Sequence, residues 1–195
     1  MTLVLVALAL EAVGLVARLG RRGAQFRVAV TGMGPERGAE GARRALARWR
    51  PTWVIGLGFC GGLHPPAAVG SWAYPAAVVT EEGTVLALTP LPGHPAQGRM
   101  VSVARPVVSP AGKAALYAAT GALWVDQEGF AWARACQAVG VPFTLVRWVL
   151  DGPEDPLPVL ACPKSWRAVP HLAVLVAQGV RALAEKGEEM ACGLS

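Results

Sequence analysis

Charge is in short supply in this chain. Lys, Arg, Asp and Glu make up 16% of the 195 residues, against 53% hydrophobic residues and a mean hydropathy of +0.41. Such a composition excludes an intrinsically disordered chain and supplies one sizeable core. Cysteine is sparse too: Cys60, Cys136, Cys162 and Cys192 lie far apart, with neither CxxC nor Cys-x-His spacing. That pattern excludes a disulfide scaffold and offers no zinc or redox motif, so reduced, mostly buried thiols are expected. The 23 glycines and 16 prolines follow no period, which excludes a collagen-like chain. Long apolar runs are missing as well. The opening from Leu3 to Leu10 has no basic flank and meets Glu11 at once, and the stretch around Val174 is too short to span a bilayer. A soluble cytoplasmic protein without a membrane partner is the expectation.

The formal charge of +5 is not gathered into a stripe with interleaved aromatics, so no nucleic-acid partner is expected. Arg18, Arg21, Arg22 and Arg27 form one loose group, and Arg43, Arg44, Arg48 and Arg50 another. Both read as solvated helix faces and ends.

What the chain has in quantity is alternation. Continuous apolar runs follow one another with amphipathic segments between them, the pattern of strands buried between helix layers. Thr2–Leu8, Arg27–Thr31 and Thr52–Leu57 read as strands, with helices over Leu10–Leu19 and Pro35–Trp49. Ser71–Thr80, Thr84–Leu88 and Met100–Val108 read as strands joined by Gly- and Pro-rich turns with no helix between them, which predicts a mixed sheet. Helices over Ala111–Ala119 and Gln127–Val139 follow, then a strand over Pro142–Leu150 and a helical region over Lys164–Lys186, broken or begun near Pro170. No repeat or linker divides these elements. The expectation is a single α/β domain over residues 1–195, a three-layer sandwich with a mixed central sheet.

Two glycine-rich turns are expected after strands. Thr31-Gly32-Met33-Gly34-Pro35 runs into a helix, so its amides and the helix N-terminus face an anion or sugar hydroxyl, or simply make a tight turn. Gly56, Gly58 and Gly61 form a formal GxGxxG, but a dinucleotide fingerprint must open a helix and Leu63-His64-Pro65-Pro66 does not. These glycines instead permit close approach of backbone to a small ligand. Aspartate occurs only as Asp126, Asp151 and Asp155. Asp151 ends an apolar run, where ligands bind in open α/β sheets, and a half-buried carboxyl there has a raised pKa suited to delivering a proton. Glu128 opens a helix after a short strand, and Glu11 lies just past the first strand. His64, after the Gly61-Gly62 turn, is placed at the mouth of any such site or on the surface, and the seven tryptophans fit an apolar pocket or an ordinary core.

These residues carry a resemblance. Glu11, Thr31-Gly32-Met33-Gly34, Gly58-Phe59-Cys60-Gly61-Gly62-Leu63, Val125-Asp126-Gln127-Glu128-Gly129 and Val146-Arg147-Trp148-Val149-Leu150-Asp151 resemble, in order, the motifs of the nucleoside phosphorylase / methylthioadenosine and adenosylhomocysteine nucleosidase family. The resemblance spans Thr2 to Pro158 and implies a nucleoside phosphorylase-like fold and a small-molecule purine nucleoside as substrate. It implies Asp151 as the acid protonating the purine at N7, Glu11 as the group that positions or deprotonates the attacking water, and Glu128 as the partner of the ribose hydroxyls. Cys60, Gly61, Gly62, Gly32 and Gln127 are implied around sugar and base. A homo-oligomer, such as a dimer, is implied too, with no metal site and no cofactor.

The chain departs from the family pattern at Gln127, where a Met is common, and at Leu150, where a Ser is common. Arg105–Pro110 through Thr120–Leu123, and Asp151–Pro158, are similar to the subgroup associated with hopanoid synthesis genes, which acts on an adenosine with a large apolar 5′ substituent. Val107, in the first stretch, is a further substrate-binding candidate. Three functions follow as expectations: an adenine-releasing nucleosidase acting on a nucleoside such as methylthioadenosine or adenosylhomocysteine, a nucleoside phosphorylase, including a hopanoid-linked one, and a catalytically inactive nucleoside-binding protein. The family's Gly-Asp-Pro phosphate signature is missing near the N-terminus, which favours hydrolysis.

Overall fold

The computed structural model describes residues 1–19, 25–156 and 170–193. Three parallel strands, β1 (Thr2–Val6), β2 (Phe26–Val30) and β3 (Trp53–Gly62), start a mixed sheet in the order β2-β1-β3. They alternate with α1 (Ala9–Leu19) and α2 (Pro35–Trp49). β4 (Trp72–Ala73), β5 (Pro75–Thr80), β6 (Val85–Ala87) and β7 (Gln97–Ser102) follow without an intervening helix. Next come α3 (Pro110–Thr120), β8 (Trp124–Asp126), α4 (Gly129–Ala138), β9 (Phe143–Asp151) and α5 (Pro170–Gly193). β3 lies between β1 and β9, both parallel to it, and at its far end pairs antiparallel with β8, which continues the sheet through β7 and β5 to β6.

Two apolar clusters set the layers. Ala42, Ala45 and Leu46 of α2 and Trp132, Ala133 and Cys136 of α4 pack with Leu3, Leu5, Val54 and Leu145 on one face. Alternate residues of the same strands, Val4, Val6, Ile55 and Val146, pack on the other face with Leu15 of α1 and Leu183 of α5. This is the period-two signature of strands buried on both faces. The mixed three-layer α/β architecture read from the sequence is the one observed.

Several expected boundaries move, each for a local reason. β1 stops at Val6 because the next two amides, of Ala7 and Leu8, donate to the Glu11 carboxylate at 2.9 and 2.8 Å instead of to a neighbouring strand. The expected Ser71–Thr80 strand divides at Tyr74, and its halves pair with different partners, β4 with β9 and β5 with β6 and β7. β7 ends at Ser102, well short of Val108. α4 begins at Gly129, not Gln127, its first amides satisfied by Asp126 Oδ2 (3.0 Å, from Gly129) and Ser102 Oγ (2.8 Å, from Phe130). The largest correction concerns the second glycine-rich turn: Gly56, Gly58, Gly61 and Gly62 are not in a turn but within β3. The helical expectation for 164–169 lies outside the described residues, as does Cys162. Cys60 and Cys136 are buried and free.

Candidate active site

β3 is the spine of the site, and its glycines make room for charge. A Cβ on Gly58 would lie 2.5 Å from Arg147 Nη1 and 2.5 Å from Glu11 Oε1, so those two groups approach the strand only because the side chain is missing. Arg147, from the middle of β9, is wholly buried, its guanidinium 4.7 Å from the Trp132 ring centroid. It donates to Asp126 Oδ2 from Nε at 3.1 Å and from Nη2 at 2.5 Å, and Nη2 lies 3.6 Å from Glu128 Oε2. Buried charge survives only when paired in this way.

Three acids from three elements surround this cation. Asp126 at the end of β8 also accepts from Ser102 Oγ at 2.6 Å. Glu128 accepts from the Gly34 amide at 2.7 Å, so the anion seated on the Thr31–Pro35 turn is the protein's own carboxylate. Glu11, near the start of α1, takes the Ala7 and Leu8 amides on Oε2 and the Phe59 amide, at 3.1 Å, on Oε1. Burial lifts the Glu11 carboxyl above its usual range despite Arg147 and those amides. Burial also raises Glu128 to about 7; Arg147 and the Gly34 amide oppose the rise, and Asp126 and Glu11 add to it.

Asp151 closes β9, and a bulge aims it. The β3–β9 register runs Cys60 to Val149 and then Gly61 to Asp151, so Leu150 is the extra residue. Such an insertion bends the strand and redirects the following side chain. The Asp151 carboxyl is paired with Lys113 Nζ, yet burial, the largest influence, keeps its pKa above the usual range.

A cavity of about 170 Å³ joins these groups. Of the residues proposed from sequence, Glu11, Cys60, Gly61, Val107, Gln127, Glu128 and Asp151 line it, with the apolar Leu8, Met33, Phe59, Val103, Pro106 and Leu150. Both departures from the family pattern, Gln127 and Leu150, are thus wall residues. Gly32 and Gly62 do not line it. Gly32, at φ 97°, packs toward the Arg37 side chain, and a Cβ on Gly62 would meet the Ala67 carbonyl at 2.6 Å. His64 does not line it either; its ring packs against Tyr117 with centroids 4.5 Å apart and planes tilted by 34°. Trp49, Trp53, Trp72, Trp124, Trp132 and Trp148 all belong to the packed clusters, and none lines the cavity. A larger groove of about 1150 Å³ between α2 and α4 contains none of the cavity's acids.

Arg147 and Lys113 went unassigned in the sequence. Arg147 had a signal, a cation inside an otherwise apolar strand run; Lys113 had only the scarcity of lysine. Among the described residues no group of three His, Cys, Asp or Glu side chains is placed to hold a metal ion, and no helix is long and apolar enough to cross a membrane.

Solved structures match this arrangement over nearly its whole length. A Helicobacter pylori 5′-methylthioadenosine/S-adenosylhomocysteine nucleosidase is 14% identical, with TM-score 0.79 and coverage of 98% of this chain and 97% of that one. The fold is that of these nucleosidases. Futalosine hydrolase from the same organism gives TM-score 0.80 at 14% identity, covering 98% and 97%. A Neisseria meningitidis 5′-methylthioadenosine/S-adenosylhomocysteine nucleosidase, in complex with methylthio-immucillin-A, gives 0.72 at 17%, covering 97% and 96%. No protein-family model matches the sequence, and no curated protein matches it.

Proposed function

We propose that this chain is a purine nucleosidase that hydrolyses the N-glycosidic bond of an adenosine derivative and releases adenine. The observation that carries the reading is the meeting of Glu11, Glu128 and Asp151, from three separate elements, on one cavity, with a buried Arg147 paired to Asp126 and Glu128 behind it. Asp151, whose burial favours the protonated acid, donates its proton to N7 of the purine. The C1′–N9 bond then breaks with its electron pair going to the base, and positive charge develops on the ribose. Asp126, Glu128 and Glu11 set three carboxyl groups around one guanidinium, which gives the sugar a negative surrounding where that charge forms. Glu128 accepts from the ribose hydroxyls. Glu11, fixed by three amides, orients the water that attacks C1′ and takes its proton.

Water suits this cavity better than phosphate. Among the described residues its lining holds Glu11, Asp126, Glu128 and Asp151 and no lysine or arginine side chain, so a phosphate dianion would meet repulsion there without a compensating cation. The nucleosidases that share the fold support the same reading.

The test is adenine release from 5′-methylthioadenosine, S-adenosylhomocysteine and adenosine, with and without phosphate. Release independent of phosphate is expected, with Asp151→Asn slower by about 10²- to 10⁴-fold in kcat. Strict phosphate dependence would make the enzyme a phosphorylase, and an undiminished Asp151→Asn would remove the acid.

A further inference from the structure

Lys113 has no part in the chemistry above, yet it is one of the most deeply buried side chains in the molecule, at 0% exposure. A lysine is rarely found there unless its ammonium is paired and hydrogen-bonded. All three Nζ donors are used: one to Asp151 Oδ2, one to the Gly152 carbonyl at 2.6 Å and one to the Asp155 carbonyl at 2.8 Å. The loop it grips is closed on itself, Gly152 N–H donating to Asp155 Oδ2 at 2.8 Å and Asp155 N–H to the Gly152 carbonyl at 3.2 Å. The other end of the clamp is also anchored. Ser109 caps α3, its Oγ accepting from the Gly112 amide at 3.1 Å and its carbonyl from the Lys113 amide at 3.0 Å. Among the described residues, Asp151 Oδ1 accepts no hydrogen bond.

We propose that Lys113 is the positioning residue of the general acid, clamping one carboxyl oxygen of Asp151 so that the other carries the proton to the purine, and limiting by its charge how far that proton persists as pH rises. The proposal rests on the reading of Asp151 as the acid. Three charged or titratable groups face Asp151 among the described residues: Lys113 from α3, Asp155 from the loop after β9 and Cys60 from β3. Burial favours the protonated carboxyl most, Lys113 opposes it, and Asp155 adds to it. Burial holds the Cys60 thiol well above the usual thiol range, so it brings no charge of its own. The two charged neighbours therefore act in opposite directions.

Opposite signs make the test specific. Lys113→Met keeps the apolar stem and removes the charge, and should move the alkaline limb of the kcat/KM profile upward by about one to three pH units. Asp155→Asn keeps an acceptor for the Gly152 amide and removes the opposing charge, and should move the same limb downward. The Asp151 carboxyl band, isolated by isotope-edited infrared difference between the parent and Asp151→Asn, should titrate with the same two displacements. That readout needs no turnover: a full-speed Asp151→Asn would overturn the acid reading, while displaced infrared midpoints would still support the clamp. Folded Lys113→Met with an unmoved limb and an unmoved infrared midpoint would reduce Lys113 to a packing element. Should Lys113→Met not fold, Lys113→Gln removes the same charge with a polar side chain in its place, and a folded Lys113→Gln with limb and infrared midpoint both unmoved would overturn the proposal.

Discussion

Replacing Glu128 by Gln should change how the stability of this protein depends on pH, and the size of the effect follows from where Glu128 sits. The residue is 5% exposed. Burial chiefly lifts its carboxyl from the usual 4.5 to about 7, against the pull of Arg147. A carboxyl that holds its proton more tightly in the folded chain than in the unfolded one contributes stability that is fully present below 4.5 and is lost as pH rises through about 7. Between those values the folded chain binds more protons than the unfolded chain, so unfolding free energy falls with rising pH. Moving one carboxyl from 4.5 to about 7 corresponds to a loss of about 3 kcal/mol across that window. Gln keeps an oxygen for the Gly34 amide and does not titrate. Urea unfolding followed by tryptophan fluorescence, at steps from about pH 4.5 to about pH 8, should therefore show the parent losing about 3 kcal/mol relative to Glu128→Gln. Glu11 and Asp151 titrate in both proteins, and the difference curve removes them to first order. Parallel curves across the window would refute the reasoning, because they would mean that Glu128 ionises in the folded protein as easily as in the unfolded chain.

Two further substitutions probe the charged centre. Arg147→Met leaves Asp126, Glu128 and Glu11 buried without their guanidinium, and breaking a buried pair from one side costs about 3–5 kcal/mol. The urea midpoint should fall accordingly, and a loss below about 1 kcal/mol would mean that the acids are held by their amide and hydroxyl donors alone. Gly58→Ala places a methyl 2.5 Å from both Arg147 Nη1 and Glu11 Oε1. Overpacking of this kind costs about 1–3 kcal/mol, and displacement of Glu11 should lower kcat for adenine release; a thermal melt and a rate both unchanged would show that the two groups move aside freely.

The sequence by itself determined the layers. Alternating apolar runs and amphipathic segments force strands between helix sheets, because a strand such as Thr2–Val6, apolar at nearly every position, has no face to give to water. The strand-end position of Asp151 and the helix-opening position of Glu128 were legible for the same reason, since where an element ends is a local property. Tertiary structure alone decided the rest. That Gly56 to Gly62 form a strand and not a turn depends on ladders to β1, β8 and β9, partners remote in the chain. That Gly32 and Gly62 stay off the cavity while Leu8, Phe59 and Leu150 reach it depends on the β9 bulge and on the packing of neighbouring side chains. Arg147 and Lys113 find their acids across 21 and 38 residues of sequence, a pairing that no local pattern encodes. It is fixed when the folding chain buries those charges beside acids and carbonyls that offset the loss of water.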